Sequence, residues 1–161
     1  MSKDQSSDLI RFLKPFDKVT IELVLWLRAF VWDLYPKTNE LIYDNYNAVS
    51  FGWSLSDKQG HLFCTIAVFR TNQNIHFGFY FGNLLADPKK ILLGKGNQYR
   101  YILVADKNEF PKAYIKKLLL EAYVNSLVKV KDEKQIREGL TITKSISQKK
   151  RAKKNASAKK K

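Results

Sequence analysis

The chain has 161 residues, a length that suits one hydrophobic core and excludes two comfortable ones. Its single cysteine excludes an intrachain disulfide and a metal site built from several thiolates. The net charge of +14 is unevenly placed, because residues 1–88 carry −1, residues 89–140 carry +6 and residues 141–161 carry +9. The basic character therefore belongs to one flank and to the C-terminal segment.

Residues 1–7 are polar and contain no apolar signal-peptide core, so a flexible N-terminus is predicted there. The most apolar segment, residues 21–34, contains three charges and is shorter than the roughly 20 residues that span a bilayer. No membrane partner is predicted, and a reducing cytoplasmic location is the default expectation. Cys64 lies in an apolar run and is predicted to be a buried hydrophobic residue rather than a nucleophile.

Two helices are predicted before the first strand. Asp8 is the expected N-cap of a short helix that Pro15 stops, and Thr20 is the expected N-cap of a helix over residues 21–35. The second helix is apolar on nearly every side, which is typical of a helix that the rest of the domain buries. A partner-binding or membrane-surface helix is the alternative interpretation.

Alternating and apolar runs predict five strands, at residues 40–46, 48–55, 62–69, 75–81 and 98–105. Short polar turns join the first four and favour antiparallel neighbours. One strand face is made of small residues, namely Ser50, Gly52 and Ser54, and another combines small and aromatic residues, namely His76, Gly78, Tyr80 and Gly82. Because glycine in a strand marks close approach of another group, these faces either line a groove or receive the helix 21–35.

Asp87-Pro88 predicts a short helix that runs to Leu93, with Gly94 as its C-cap. A last long helix is predicted to start at Asn108 or Glu109, followed by Pro111, and to run to about Lys129. A further helical turn is predicted within residues 132–140. Residues 141–161 are rich in Lys, Ser and Ala, and a disordered tail is predicted. The order of elements predicts one α+β domain at residues 8–140 with an antiparallel sheet of about five strands.

The chain contains, in order, a helix that ends at Pro36, the run Ile42-Tyr43-Asp44-Asn45-Tyr46-Asn47-Ala48-Val49, His76-Phe77-Gly78-Phe79 with Gly82, Asp87-Pro88, Leu92-Leu93-Gly94-Lys95-Gly96 and Arg100. Together these motifs resemble the YdhG-like domain of unknown function, and the run from His76 to Arg100 is the most specific part. The likeness covers roughly residues 12–128. It implies a secretion-chaperone-like α+β architecture without an established enzymatic activity. Some bacterial relatives are described as frataxin-like intracellular iron chaperones, so iron is the ligand that the resemblance implies. The acidic residues of this chain are scattered, whereas hard cations need clustered carboxylates.

No segment carries a paired general acid and base or a nucleophile beside a base, so neither enzymatic activity nor a cofactor nor a metal site is predicted. Candidate ligand-binding residues are the aromatic and amide groups near the first turn, the polar residues of the His76 strand and two basic residues after it: Tyr43, Asp44, Tyr46, Asn47, His76, Tyr80, Lys95 and Arg100. The alternatives are turn formation, packing at the sheet and a merely solvated basic flank.

The C-terminal segment offers candidates for non-specific nucleic-acid binding through phosphate neutralisation: Lys149, Lys150, Arg151, Lys153 and Lys154. A solubilising tail is the alternative. The leading interpretation is a small cytoplasmic adaptor that presents a site for a protein or a small anionic ligand. An iron chaperone and a nucleic-acid accessory protein are the two other interpretations, and pairing of an edge strand with a second copy stays open.

Overall fold

The computed structural model describes residues 4–154, which form one mixed six-stranded sheet and three α-helices. The helices are α1 (Ser6–Leu13), α2 (Lys18–Leu34) and α3 (Lys112–Lys129). The strands are β1 (Asn39–Asp44), β2 (Ala48–Ser54), β3 (Leu62–Phe69), β4 (Ile75–Phe79), β5 (Arg100–Leu103) and β6 (Thr141–Ile146). The α+β class is confirmed, and the five strands predicted before residue 140 are present with ends shifted by at most two residues.

The sheet has the strand order β5-β4-β3-β2-β1-β6. Strands β1 to β5 pair antiparallel with their neighbours, whereas β6 lies parallel to β1 at the edge. The prediction of an antiparallel sheet of about five strands is therefore wrong in both strand number and pairing. None of the helices within residues 4–154 is long and apolar enough to cross a membrane.

Strand β6 corrects the prediction of a disordered tail from residue 141. It begins with the alternation Thr-Ile-Thr, and both residue types are β-branched and suit a strand. The backbone N–H of Glu40 donates to the carbonyl of Leu140 at 2.8 Å, and the buried Thr141 hydroxyl donates to the Glu40 carboxylate at 3.2 Å. The Lys-rich composition of the segment masked this short alternation. Residues 155–161 of the predicted tail lie outside the described residues.

The N-terminal segment also differs from the prediction. Asp4 forms a bridge with Thr141, the Gln5 N–H donates to the Thr141 carbonyl at 3.0 Å, and α1 begins at Ser6. Residues 4–7 are thus held by β6, while residues 1–3 lie outside the described part. Asp8 is consequently in the first turn of α1 and not at its N-cap, and its carboxylate accepts from the Thr143 hydroxyl at 2.8 Å.

Helix α2 begins at Lys18, two residues before the predicted N-cap Thr20, because the Asp17 carbonyl already accepts from the Ile21 N–H. The predicted helix from Asp87 to Leu93 is wrong. Lys90 has a φ of 53°, which a right-handed helix does not tolerate, and the Asp87 carboxylate accepts from the backbone N–H of Ile91 and Leu92 instead. The helical turn predicted after α3 is present as a 3-10 turn, Glu133–Gln135.

All three helices contribute to one core on one face of the sheet. Trp32 of α2 packs edge-on against Trp53 with ring centroids 6.0 Å apart, and Tyr123 of α3 packs against Phe63 at 5.5 Å. α1 adds Leu9, Phe12 and Leu13 to the same cluster. Cys64 lies in this core with no exposed surface, so its predicted burial is confirmed, and burial raises the pKa of its thiol.

We expect β6 to be an integral part of the fold. A chain that ends at Leu140 exposes the β1 edge and removes a partner from the buried Glu40, and it should lose a few kcal/mol of stability. At ~2–4 °C per kcal/mol for a domain of this size, the melting temperature should fall by about 10 °C. Thermal unfolding followed by circular dichroism measures the change. A chain that ends at Ile146 is the control, because it keeps β6 and removes only residues 147–161, and an unchanged melting temperature for the Leu140 truncation contradicts the assignment.

Candidate functional site

The two small-residue strand faces come together on the face of the sheet opposite the core cluster. Sheet pairing places Gly52 beside Thr65, and Thr65 beside Gly78, on the side opposite the core cluster. Helix α2 packs on the other side, so the expectation that it fills the small-residue faces is wrong. The chain's own aromatic side chains occupy this space instead.

The side chain of Tyr99 occupies the space beside Gly78, so that only a glycine fits at this position. A Cβ atom on Gly78 would lie 2.1 Å from the Tyr99 hydroxyl oxygen, which itself is 3.5 Å from the Thr65 hydroxyl. His76 lies between Phe69 and Tyr101, with its ring stacked on Tyr101 at a centroid distance of 4.0 Å and an interplanar angle of 3°. Burial lowers the His76 pKa, which favours the neutral imidazole. The geometry of His76 is that of a packed ring.

Tyr43 lies on the same face of the sheet as His76, and Tyr80 is close enough to influence the Tyr43 hydroxyl electrostatically. The Tyr43 hydroxyl is buried and has no hydrogen-bond partner among the described residues. Burial, together with the nearby Tyr80, raises the pKa of Tyr43 to about 12, so the phenol stays protonated. The Tyr80 hydroxyl accepts a hydrogen bond from the Gln59 side chain at 2.6 Å. This contact ties the segment before β3 to the end of β4.

A second region gathers residues that the sequence suggested separately. Residues 147–154 leave β6 and run along the turns at one end of the sheet. The Ser147 N–H donates to the Asp44 carbonyl at 2.7 Å, and the Arg151 N–H donates to the Tyr46 carbonyl at 2.8 Å. The Lys154 N–H then donates to the Thr71 carbonyl at 2.9 Å. The candidates Asp44, Tyr46 and Asn47 therefore lie beside the basic candidates of the C-terminal segment.

The buried centre of this region is an ion pair between Asp44 and Arg70. The side chains are 5% and 6% exposed, and the Arg70 Nη2 lies 2.5 Å from the Asp44 Oδ1. The same guanidinium donates to the Asn45 carbonyl, and the Lys150 ammonium lies 2.9 Å from the Asp44 Oδ2. Asp44 thus forms ion pairs with two cations, so the group as a whole keeps a net positive charge. The role of the Asp44 carboxylate is therefore structural.

A cavity of about 110 Å³ opens beside this pair. We call its four cationic residues, Arg70, Lys150, Arg151 and Lys153, the basic cluster, and its other lining residues are Pro15, Phe16 and Gln73. The remaining nearby carboxylate, Asp17, is exposed, and a hydrogen bond from Gln73 and the charge of Lys153 outweigh desolvation and lower its pKa. Among the described residues, four cations therefore face two carboxylates, and the arrangement can hold an anionic group.

Arg151 links the cavity to an exposed aromatic ring. Its Nη1 donates to the Asn47 side-chain oxygen at 3.0 Å, and its guanidinium carbon lies 5.8 Å from the centre of the Tyr46 ring. Tyr46 is 46% exposed. Lys149 is exposed as well, and its backbone carbonyl accepts from the Ser147 hydroxyl at 2.8 Å. The cluster thus combines cations with one accessible aromatic face.

The predicted basic pair Lys95 and Arg100 lies elsewhere. The Arg100 Nη1 donates to the carbonyls of Gly96 and Tyr99, at 2.6 and 2.8 Å, and its Cβ lies 2.5 Å from where a Gly82 Cβ would be. Lys95 is exposed. Arg100 therefore braces the loop before β5, and the structure does not bring these two residues to the basic cluster.

Sequence reasoning missed Arg70 and Phe16 as parts of a site. Arg70 directly follows the apolar strand Leu62–Phe69, and a charge at such a place needs a partner when it is buried. That signal was present in the sequence, but the partner Asp44 is 26 residues away and could not be assigned. Phe16, whose ring centre is 5.9 Å from the Arg70 guanidinium carbon, gave no signal of its own.

Groups suited to metal binding are dispersed. Within residues 4–154, no three His, Cys, Asp or Glu side chains come close enough to share a metal ion. His61 is engaged by Ser56, whose hydroxyl lies 2.6 Å from the His61 Nδ1. Burial, followed by the charge of Lys58, lowers the His61 pKa. The described residues give the iron-chaperone interpretation no ligand set.

Comparison with family models, with curated proteins and with solved structures gave no match. The YdhG-like resemblance therefore remains a prediction from the motifs between Pro36 and Arg100. The chemistry of the site is therefore inferred from the positions and contacts of its own residues.

We expect the space above Gly78 to be reserved for Tyr99. Gly78→Ala should lower stability by about 2 kcal/mol, because the added methyl overlaps the phenol. In a Tyr99→Ala background the same change should cost far less, which a double-mutant cycle of urea unfolding measures. Gly96→Ala is the matched control, because a Cβ there meets nothing within 4 Å. An equal cost of Gly78→Ala in both backgrounds contradicts this interpretation.

Proposed function

We propose that the protein is a small cytoplasmic, non-catalytic binding module of YdhG-like type that holds an anionic ligand at the basic cluster. The observation that carries the proposal is the convergence of Arg70, Lys150, Arg151 and Lys153 on one cavity. These residues come from the end of β3 and from the segment after β6, so only folding brings them together.

Arg70 is the preorganised element of the site. Its guanidinium is held by Asp44 and by the Asn45 carbonyl, so little side-chain freedom is lost when a ligand approaches. A largely buried cation attracts an anion more strongly than a solvated one, because the local dielectric constant is lower. Arg151 and Lys153 are accessible and supply donors only, which match the acceptor oxygens of phosphate or carboxylate groups.

The size of the cavity limits the ligand. Its volume of about 110 Å³ is below the roughly 300–1,000 Å³ of pockets that enclose drug-sized molecules. The cavity fits a single anionic group, with the rest of a larger ligand outside. The residues most able to do chemistry are engaged structurally, since Asp44 is paired twice, Cys64 is buried and His76 is stacked. These roles support binding rather than catalysis.

A nucleic-acid ligand is the second candidate, and one observation favours it. The tail sequence has no aromatic residue between its lysines, but folding places the exposed Tyr46 ring beside Arg151 and Asn47. Single-stranded nucleic acid binds where cations track the backbone and an aromatic ring accepts a base. The basic cluster would then hold one phosphate of the strand.

The anion site can be tested with inorganic pyrophosphate as the probe. We expect isothermal titration calorimetry at low ionic strength to show saturable binding to the full chain. Arg151→Gln/Lys153→Gln should weaken it by about tenfold or more, because two of the four cations are lost. The control is Lys131→Gln/Lys134→Gln, which removes the same charge from exposed positions outside the cavity. Equal affinities for the two double variants would refute a site at the basic cluster.

The nucleic-acid candidate makes a different prediction. A fluorescent single-stranded oligonucleotide of about 12 nucleotides should bind with strong salt dependence, measured by anisotropy. Tyr46→Ala should weaken binding by about tenfold through lost stacking and leave the salt slope unchanged, whereas Arg151→Gln/Lys153→Gln should reduce the slope by about one to two. If Tyr46→Ala changes nothing while pyrophosphate binding is intact, the ligand is a small anion and this candidate is dismissed.

A further inference from the structure

Helix α3 has two apolar faces, and only one of them is used by the core. Its buried residues are Ile115, Leu118, Leu119, Ala122 and Ser126. On the opposite side lie the residues that we call the α3 outer surface: Ala113, Lys116, Lys117, Leu120, Val124, Leu127 and Val128. Leu120 is 58% exposed, Val124 47% and Val128 79%. Steps of three and four residues place these side chains on one helical face.

The α3 outer surface forms one side of a groove, whose other side is the chain segment before β5. Residues 81–89 run along one flank of α3, where the Ala86 N–H donates to the Glu121 carboxylate at 2.6 Å. Nearer the start of the helix, the Tyr114 hydroxyl donates to Asp87 at 2.5 Å and accepts from the Lys89 N–H at 3.1 Å. A cavity of about 300 Å³ lies there, lined by Ala86, Pro88, Lys89, Ala113, Tyr114, Lys117 and Leu118. The cavity and the outer surface share Ala113 and Lys117.

The charged side chains around this apolar surface are mostly lysines. α3 contains four lysines and one glutamate, and that glutamate, Glu121, already accepts from the Ala86 N–H. Lys116 and Lys117 lie on the outer surface itself, and Lys89 lines the cavity beside it. A partner that covers the apolar residues would therefore gain by carrying carboxylates at its rim.

We propose that the α3 outer surface binds an acidic amphipathic helix of a partner protein. The apolar side chains of that helix would cover Leu120, Val124 and Val128, and its carboxylates would meet Lys116 and Lys117. The surface extends from Ala113 to Val128, about 22 Å at roughly 1.5 Å per residue, which matches about four turns of a partner helix. Contiguous exposed apolar residues on a soluble domain are typical of such contacts.

Two other occupants fit less well. A second copy of the chain would bring a further charge of +14 and lysines against lysines. An anionic membrane would find lysines and apolar residues, but a flat surface cannot enter the cavity between α3 and residues 86–89. The inference is independent of the proposed anion site, since no residue belongs to both the α3 outer surface and the basic cluster.

The test uses the full chain and a synthetic peptide of about 18 residues that places Leu on one helical face and Glu on the other. We expect saturable binding by fluorescence anisotropy. Leu120→Gln/Val124→Gln and, separately, Lys116→Glu/Lys117→Glu should each weaken it by about tenfold or more, because these positions are exposed and their loss leaves the core intact. Leu103→Gln, at another exposed apolar position, and Arg151→Gln/Lys153→Gln should bind like the wild type.

Four results would overturn the proposal. A scrambled peptide of the same composition that binds equally well shows that charge alone suffices. Loss of binding in Arg151→Gln/Lys153→Gln, with retention in the α3 variants, moves the contact to the basic cluster. Absence of peptide binding together with binding to vesicles of anionic phospholipid that the α3 variants lose identifies a membrane site. A dimer in sedimentation experiments that Leu120→Gln/Val124→Gln abolishes identifies a second copy as the occupant.

Discussion

The buried carboxylate of Glu40 joins the parts of this molecule that are far apart in sequence. Its two oxygens accept from the Arg28 guanidinium at 2.7 and 2.8 Å, and one of them also accepts from the Thr141 hydroxyl. Arg28 in turn donates to the Ser6 hydroxyl at 3.1 Å. One carboxylate thereby connects α2, β1 and β6, and through Arg28 reaches α1. Removal of one partner from such a buried pair costs roughly 3–5 kcal/mol, so these elements depend on one another.

The direction of β6 decides where the C-terminal cations lie. Because β6 runs parallel to β1, the C-termini of both strands lie at the same end of the sheet, where Ile146 pairs with Asp44. The residues after Ile146 must leave beside the β1–β2 turn, and there Lys150 reaches Asp44. An antiparallel β6 would carry these residues to the opposite end of the sheet. The basic cluster is in this sense a consequence of the parallel pairing.

The parts of the fold that local patterns specify were predictable, namely β1 to β5 from alternation and α3 from its apolar stripe. Features set by distant partners were not. β6 depends on Glu40, which is 101 residues earlier in the sequence than Thr141. The space beside Gly78 is occupied by the Tyr99 side chain, and sequence spacing alone does not place Tyr99 there. Of the site, the residue types of the β1–β2 turn and of the tail were identified separately. Their meeting, and the role of Arg70, needed the three-dimensional arrangement.

Both cationic surfaces attract acidic partners, and they differ in the kind of ligand that they can hold. At physiological salt the Debye length is about 8 Å, so the net charge guides acidic partners only at short range. Selection then depends on local geometry. The basic cluster offers a fixed guanidinium in a small cavity, which suits a single anionic group. The α3 outer surface offers apolar area between flexible lysines, so a small anion gains little there, whereas a ligand that also buries hydrocarbon gains the hydrophobic term of about 25 cal/mol per Å².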